Sequence, residues 1–228
     1  MEYGRLKYPY IAVMKEGSLS YGGNQQWSSK KTIQKYGCGV IAGTDLLLYL
    51  SLHKDYCKGK EFKDSEGING ILDAEEYMEL AEKMKRHYFP VILGLGMPVW
   101  LLAGGINRYF HINRIPLKVS FGVWGRNLRN RVAAMLAHDI PVILAVGPNF
   151  PVPVKKQKLS FYEKKGNSYE EMCSVAAHFV VVTAMEGEWL QISSWGKTYY
   201  INLSEYQTYV RRYSFFLVSN IFYIRKRK

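Results

Sequence analysis

The sequence predicts an α+β fold in which a mainly helical half packs against an antiparallel sheet half, with the functional site in the cleft between them. Three observations predict it. Apolar residues recur at helical spacing up to about residue 138. From about residue 139 the pattern changes to short β-branched and aromatic runs split by glycine turns. The chain has 228 residues, of which 48% are apolar, enough for a sizeable core. One domain over 1–228 is expected, its mainly helical half at about 25–138 and its mainly strand half at about 139–225.

Residues 1–37 read as extended and irregular, with a strand at 8–13 and a glycine loop at Tyr21-Gly22-Gly23-Asn24. A helix is expected from Cys38 to about 53. It is apolar almost all round, which marks a helix buried on most faces. Asp73 and Glu76 form a capping-box pair that opens an amphipathic helix at 74–87, with Tyr77, Leu80, Met84 and Tyr88 on one face. Pro98 suits the start of a further helix. Leu128, Val132, Met135 and Leu136 make the stripe of another at 126–138. Strands are expected at 140–146, 178–183, 189–193, 199–203 and 215–224, and a polar, lysine-rich loop at 155–172.

The formal net charge is +12. The basic residues are spread along the chain apart from Arg225-Lys226-Arg227-Lys228, which reads as a solvated end. No zinc-finger, RNA-binding or helix-turn-helix signature accompanies the charge, so nucleic acid is not expected as a partner. The three cysteines, Cys38, Cys57 and Cys173, have neither metal spacing nor an even count, and free thiols in a reducing compartment are expected. The N-terminus lacks the apolar core of a signal peptide, and the longest apolar stretch is short and broken by proline and glycine. A soluble cytoplasmic protein with no membrane span is the expectation. Trp100, Trp124 and Trp189 are expected in the core. Gly94-Leu95-Gly96 is not followed by a phosphate-loop pattern, and the remaining histidines show no metal-ligand spacing.

The chemistry concentrates in Tyr36-Gly37-Cys38-Gly39. A thiol in the first turn of a helix lies at the positive end of the helix dipole, which favours thiolate, the nucleophilic form. His178 begins an apolar strand 140 residues later. That separation falls in the roughly 130–150 residues between cysteine and histidine in papain-type enzymes. A buried ring at that position needs a hydrogen-bond partner.

Ser193-Ser194-Trp195-Gly196 resembles the Asn-Ser-Trp-Gly stretch of papain-like cysteine peptidases, which follows the base histidine by one hairpin. The Gly-Cys-Gly start of an apolar helix, Ile140-Pro141-Val142-Ile143 and His178-Phe179-Val180-Val181-Val182 are more similar still to the bacteriocin-leader (double-glycine) peptidase-like branch of that group. The resemblance spans roughly residues 25–205. It implies a papain-like fold and a thiol protease acting on a peptide or protein substrate without metal or cofactor. It implies Cys38 as nucleophile, His178 as base and Ser193 at the place of the orienting asparagine. It implies a glutamine side chain in the oxyanion hole, and Gln25 and Gln26 are the candidates. Serine at the orienting place also keeps open a member that binds peptides without cutting them, or a related acyl-transfer or amidase activity on the same fold. Asp45, two turns beyond Cys38, is expected as a buried hydrogen-bonding carboxylate too far along the helix to be the direct partner of the base.

Overall fold

A computed structural model describes residues 3–62, 71–123, 127–149 and 157–227. The strands are β1 (Tyr3–Arg5), β2 (Ala12–Lys15), β3 (Ser18–Tyr21), β4 (Ile71–Asp73), β5 (Leu117–Phe121), β6 (Val142–Val146), β7 (Leu159–Lys165), β8 (Ser168–Val175), β9 (His178–Glu186), β10 (Trp189–Ser194), β11 (Lys197–Asn202) and β12 (Phe222–Lys226). The α-helices are α1 (Lys31–Tyr36), α2 (Cys38–His53), α3 (Ala74–His87), α4 (Val99–Ile112), α5 (Asn127–Ala137) and α6 (Leu203–Tyr213). The result is a mixed fold of helices and largely antiparallel sheets.

The main sheet runs β1-β9-β10-β11-β7-β8, and β6 shares with β1 the free edge of β9. The sharing follows from length. β9 has nine residues, so β1 pairs with its end, Ala184 to Glu186, and β6 with its beginning, His178 to Val182. β6 is buried at every position, as its unbroken Val-Ile-Leu-Ala-Val run requires. Two smaller sheets, β3-β2-β4 and β12-β5, follow, and among the described strands only the β2 and β4 pair runs parallel.

Helix α2 lies at the centre, packed on β9 and β6 on one side and on α3 and α4 on the other. Val40, Leu46, Leu47, Leu48, Tyr49 and Leu50 have no exposed surface, so the all-round apolar sequence does mark a helix buried all round. Helix α3 begins at the expected capping box, with both reciprocal bonds of Asp73 and Glu76 formed. Pro98 caps α4.

Several expectations need correction. The loop expected at 155–172 is the β7–β8 hairpin over its described part, and 155 and 156 lie outside the described residues. Leu159 and Phe161 are buried and alternate with Ser160 and Tyr162, and Gly166 takes a positive φ of 60° at the turn. Glu163, Lys164, Lys165, Glu170 and Glu171, which suggested a loop, are exposed toward the solvated end of the hairpin. The strand expected at 215–224 starts only at Phe222 and runs to Lys226, because the stretch before it is turn and bend, and 203–213 is a helix, α6, that was not expected. Its signal was present: Asn202 accepts from the Ser204 and Glu205 N–H groups at 3.0 and 3.2 Å. The early strand starts at Ala12 rather than residue 8. Trp100 is 65% exposed rather than in the core, Trp189 is half-buried, and Trp124 lies outside the described residues. The helical and strand halves are therefore only partly segregated. Among the described residues no helix is long and apolar enough to cross a membrane.

Candidate active site

Helices α1 and α2 meet at Gly37, which ends the first and precedes the second. A Cβ on Gly37 would stand 2.4 Å from the Ile33 carbonyl oxygen, so the junction requires glycine. The junction aims the first turn of α2, and with it Cys38, at the start of β9. A Cβ on Gly39 would meet Met97 Sδ and the Phe179 ring, both at 3.1 Å, so this glycine lets the helix close onto β9. The close approach that Gly39 permits is thus to the protein's own side chains.

Cys38 and His178 line one cavity of about 20 Å³ together with Gln25, Asp45, Ser194 and Trp195. Cys38 is half-buried. Burial pushes its thiol above the ordinary value, while the N–H groups of Phe179, Gly39 and Cys38 itself pull the other way. Burial is the largest influence on the thiol and opposes the thiolate that the helix start favours. Its remaining exposure limits that upward push. Burial also holds the His178 imidazole down to about 4. At neutral pH the two groups are therefore a neutral thiol and a neutral imidazole.

The ring of His178 is fixed from two sides. Its Nε2 lies 2.8 Å from Ser194 Oγ. Trp195 stacks on it at 4.5 Å between centroids and 24° between planes. Trp195 can reach that place because the β10–β11 hairpin turns through Trp195 and Gly196 with φ of 50° and 72°. Positive φ at both central residues is the twist-matched hairpin turn. For a tryptophan that backbone is strained, at about 1–3 kcal/mol.

Ser193 is the residue the sequence singled out; it lines the same cavity, but its hydroxyl does not bond the ring. Its hydroxyl donates to the Tyr21 carbonyl at 2.7 Å. Ser194, one residue on, meets the ring instead. Side chains alternate along β10, so the hydroxyls of the two serines take different partners, and the bulge between Gln191 and Ile192 shifts the register against β9. Counting residues along a hairpin cannot anticipate that shift.

The two glutamines separate clearly. Both follow Asn24, whose side chain caps the short 3₁₀ turn Gln25–Trp27. Gln25 is buried and lines the cavity, whereas Gln26 is exposed. Gln25 Nε2 donates to the Gln34 carbonyl at 2.6 Å, and Gln26 Nε2 to the same oxygen at 3.2 Å. The loop before them is bonded to the hairpin turn in both directions, Gly196 N–H to the Gly23 oxygen at 3.0 Å and Tyr21 N–H to the Gly196 oxygen at 2.8 Å.

Asp45 is the residue whose place the sequence understated. It is 1% exposed, yet it shares the cavity with His178. Burial pushes its carboxyl up to about 6, against the bonds from Tyr77, Gly23 and Tyr10.

These two shifts oppose one another in the stability of the fold. His178, lowered to about 4 from an ordinary 6.5, contributes stability that is full above 6.5 and lost as pH falls toward 4. Asp45, raised to about 6 from 3.8, favours the protonated fold, so its contribution is lost as pH rises through 6. Each is worth about 3 kcal/mol by the usual conversion, and between about 4 and 6 the slopes cancel. Asp45→Asn removes the second slope. Chemical denaturation of the variant should then lose about 3 kcal/mol more than the parent between pH 6.5 and 4. Parallel curves for the two proteins would refute the Asp45 assignment, and a variant whose stability does not fall below pH 6.5 would refute that of His178.

The three cysteines are free thiols, and among the described residues no group of three or more His, Cys, Asp or Glu side chains is placed to hold a metal. No protein-family model matches the sequence, and no curated protein matches it. Among solved structures, the chain is similar to a provisionally named C39-like peptidase from Bacillus anthracis. That likeness has a TM-score of 0.48 and 14% identity, and covers 90% of this chain and 95% of the other.

Proposed function

We propose that the protein is a papain-like cysteine peptidase with Cys38 as nucleophile and His178 as general base and acid. The observation that supports this reading is that a helix-initial thiol and a buried, doubly braced imidazole line one cavity. With Nε2–H donated to Ser194, Nδ1 is left to accept the thiol proton. The resting pair is neutral, so proton transfer accompanies attack of the sulfur on the peptide carbonyl rather than preceding it. The developing oxyanion is held by the Cys38 N–H and by the second N–H of the Gln25 amide, whose first is spent on Gln34. His178 then protonates the departing amine, and a water activated by the same ring releases the acyl group from the thioester.

A second reading, a peptide-binding protein without turnover, draws on one specific feature. Ser194 is a neutral hydroxyl and stabilises an imidazolium less than a carboxylate would. One experiment separates the two. A mixed peptide library is incubated with the parent and with Cys38→Ala, and new termini are counted by mass spectrometry. The peptidase reading expects cleavage by the parent and none by the variant. A parent that retains peptides without producing new termini would favour the binding protein.

A further inference from the structure

Asp45 sits two turns along α2 from Cys38. Its Oδ1 accepts from the Tyr77 hydroxyl at 2.5 Å and its Oδ2 from the Tyr10 hydroxyl at 3.1 Å. The Gly23 N–H faces both oxygens at 3.3 and 3.2 Å. A carboxylate accepts about four hydrogen bonds, so acceptor capacity remains. A Cβ on Gly22 would stand 2.6 Å from Asp45 Oδ2 and 2.3 Å from Ser193 Oγ. Only a glycine lets the carboxylate come this near the serine hairpin.

The donor side of the account points to the same place. If Ser194 Oγ accepts the His178 Nε2–H, its own hydroxyl proton needs an acceptor, and the Ser193 hydroxyl has already donated to Tyr21. Asp45 is the carboxylate on the cavity that Ser194 also lines. The volume of about 20 Å³ exceeds the roughly 10–15 Å³ that one water needs, and the wall offers the two to four polar partners that hold such a water.

On the reading of Cys38 and His178 as an acyl-transfer pair, the geometry points to Asp45 as the positioning carboxylate of the site, linked to His178 through Ser194 and one water held in the cavity. It supplies, from the nucleophile's own helix, the negative charge that the hairpin's neutral Ser194 does not. When His178 takes the thiol proton it becomes a buried cation, and an ionised carboxylate at the end of this link stabilises it. The titratable groups around Asp45 are Tyr10 before β2, Tyr21 on β3, Tyr77 on α3, Cys38 on α2 and His178 on β9. Burial raises the three tyrosines and the thiol and lowers the imidazole to about 4. Asp45, at about 6, is the member of this group that changes charge as the medium passes from mildly acidic to neutral.

The test is the rate of Cys38 alkylation by iodoacetamide from about pH 5 to 8, site-mapped by mass spectrometry. It compares the parent with Asp45→Asn, Ser194→Ala, the double variant and His178→Ala, with folding checked by circular dichroism. In the parent, an inflection near 6 should be superimposed on the ordinary rise with thiolate. Asp45→Asn and Ser194→Ala should each react about tenfold more slowly at neutral pH, the equivalent of one net hydrogen bond, and lose the inflection. The double variant should be no slower than either single one, because the link is already cut. An Asp45→Asn protein with the parent's rate and inflection overturns the proposal, as do single effects that multiply in the double variant. If Asp45→Asn fails to fold, Ser194→Ala decides alone: loss of the inflection supports the link and its retention refutes it. A His178→Ala protein that reacts at the parent's rate removes the underlying pair and this link with it. A slowed His178→Ala beside an unchanged Asp45→Asn removes the link only.

Discussion

His178→Ala should lower the rate at which Cys38 is acylated by about 10²–10⁴-fold, the range of a general base removed from a reacting thiol. The effect is large because the resting thiol is neutral. Burial raises Cys38 and lowers His178, which disfavours a preformed ion pair and leaves the thiol dependent on the base. The loss should be nearly constant across neutral pH and shrink at high pH, where hydroxide generates thiolate without help. Stopped-flow acylation with an activated ester reads this directly. Unchanged acylation in the variant would make Cys38 an ordinary half-buried cysteine.

Gln25→Ala should lower peptide turnover by about 10²–10³-fold, the usual loss for one oxyanion donor, while Gln26→Ala should leave it near the parent value. The contrast rests on position alone. The two residues are adjacent, share the acceptor Gln34, and differ in that one amide is buried at the cavity and the other faces solvent. The loss should fall on kcat more than on KM, because the donor acts on charge that exists only in the transition state. Equal effects at both positions would place the oxyanion elsewhere.

The sequence made the local elements legible wherever one face or all faces were apolar. Helix α2 runs over the residues its apolar run marked, and α3 starts at the capping box that Asp73 and Glu76 spell out. It did not make legible the elements whose polar faces outnumber their apolar ones. The β7–β8 hairpin looked like a loop because its lysines and glutamates dominate the composition, and α6 was read past because its buried face is Leu203 and two tyrosines, Tyr206 and Tyr209. At the site, Cys38 and His178 stood out because each breaks its surroundings: a thiol between two glycines, a ring at the head of a valine strand. What failed was anything that depends on one-residue register. Whether Ser193 or Ser194 faces the ring is decided by a bulge four to five residues from the hairpin turn, and Gln25 or Gln26 by the rotation of a three-residue turn. Asp45 was dismissed on its distance along α2. The helix and β9 converge, however, so two turns along the helix stay within reach of one cavity.

The most direct measurement of the central claim is the destination of an acyl group. The parent and His178→Ala are mixed with p-nitrophenyl acetate at neutral pH, quenched in acid within the first turnover, and mapped by peptide mass spectrometry. The account predicts a thioester on Cys38 of the parent, absent from Cys57 and Cys173 and strongly reduced in His178→Ala. An acyl group found on Cys57 or Cys173 in preference to Cys38, or found on Cys38 equally in both proteins, would contradict it.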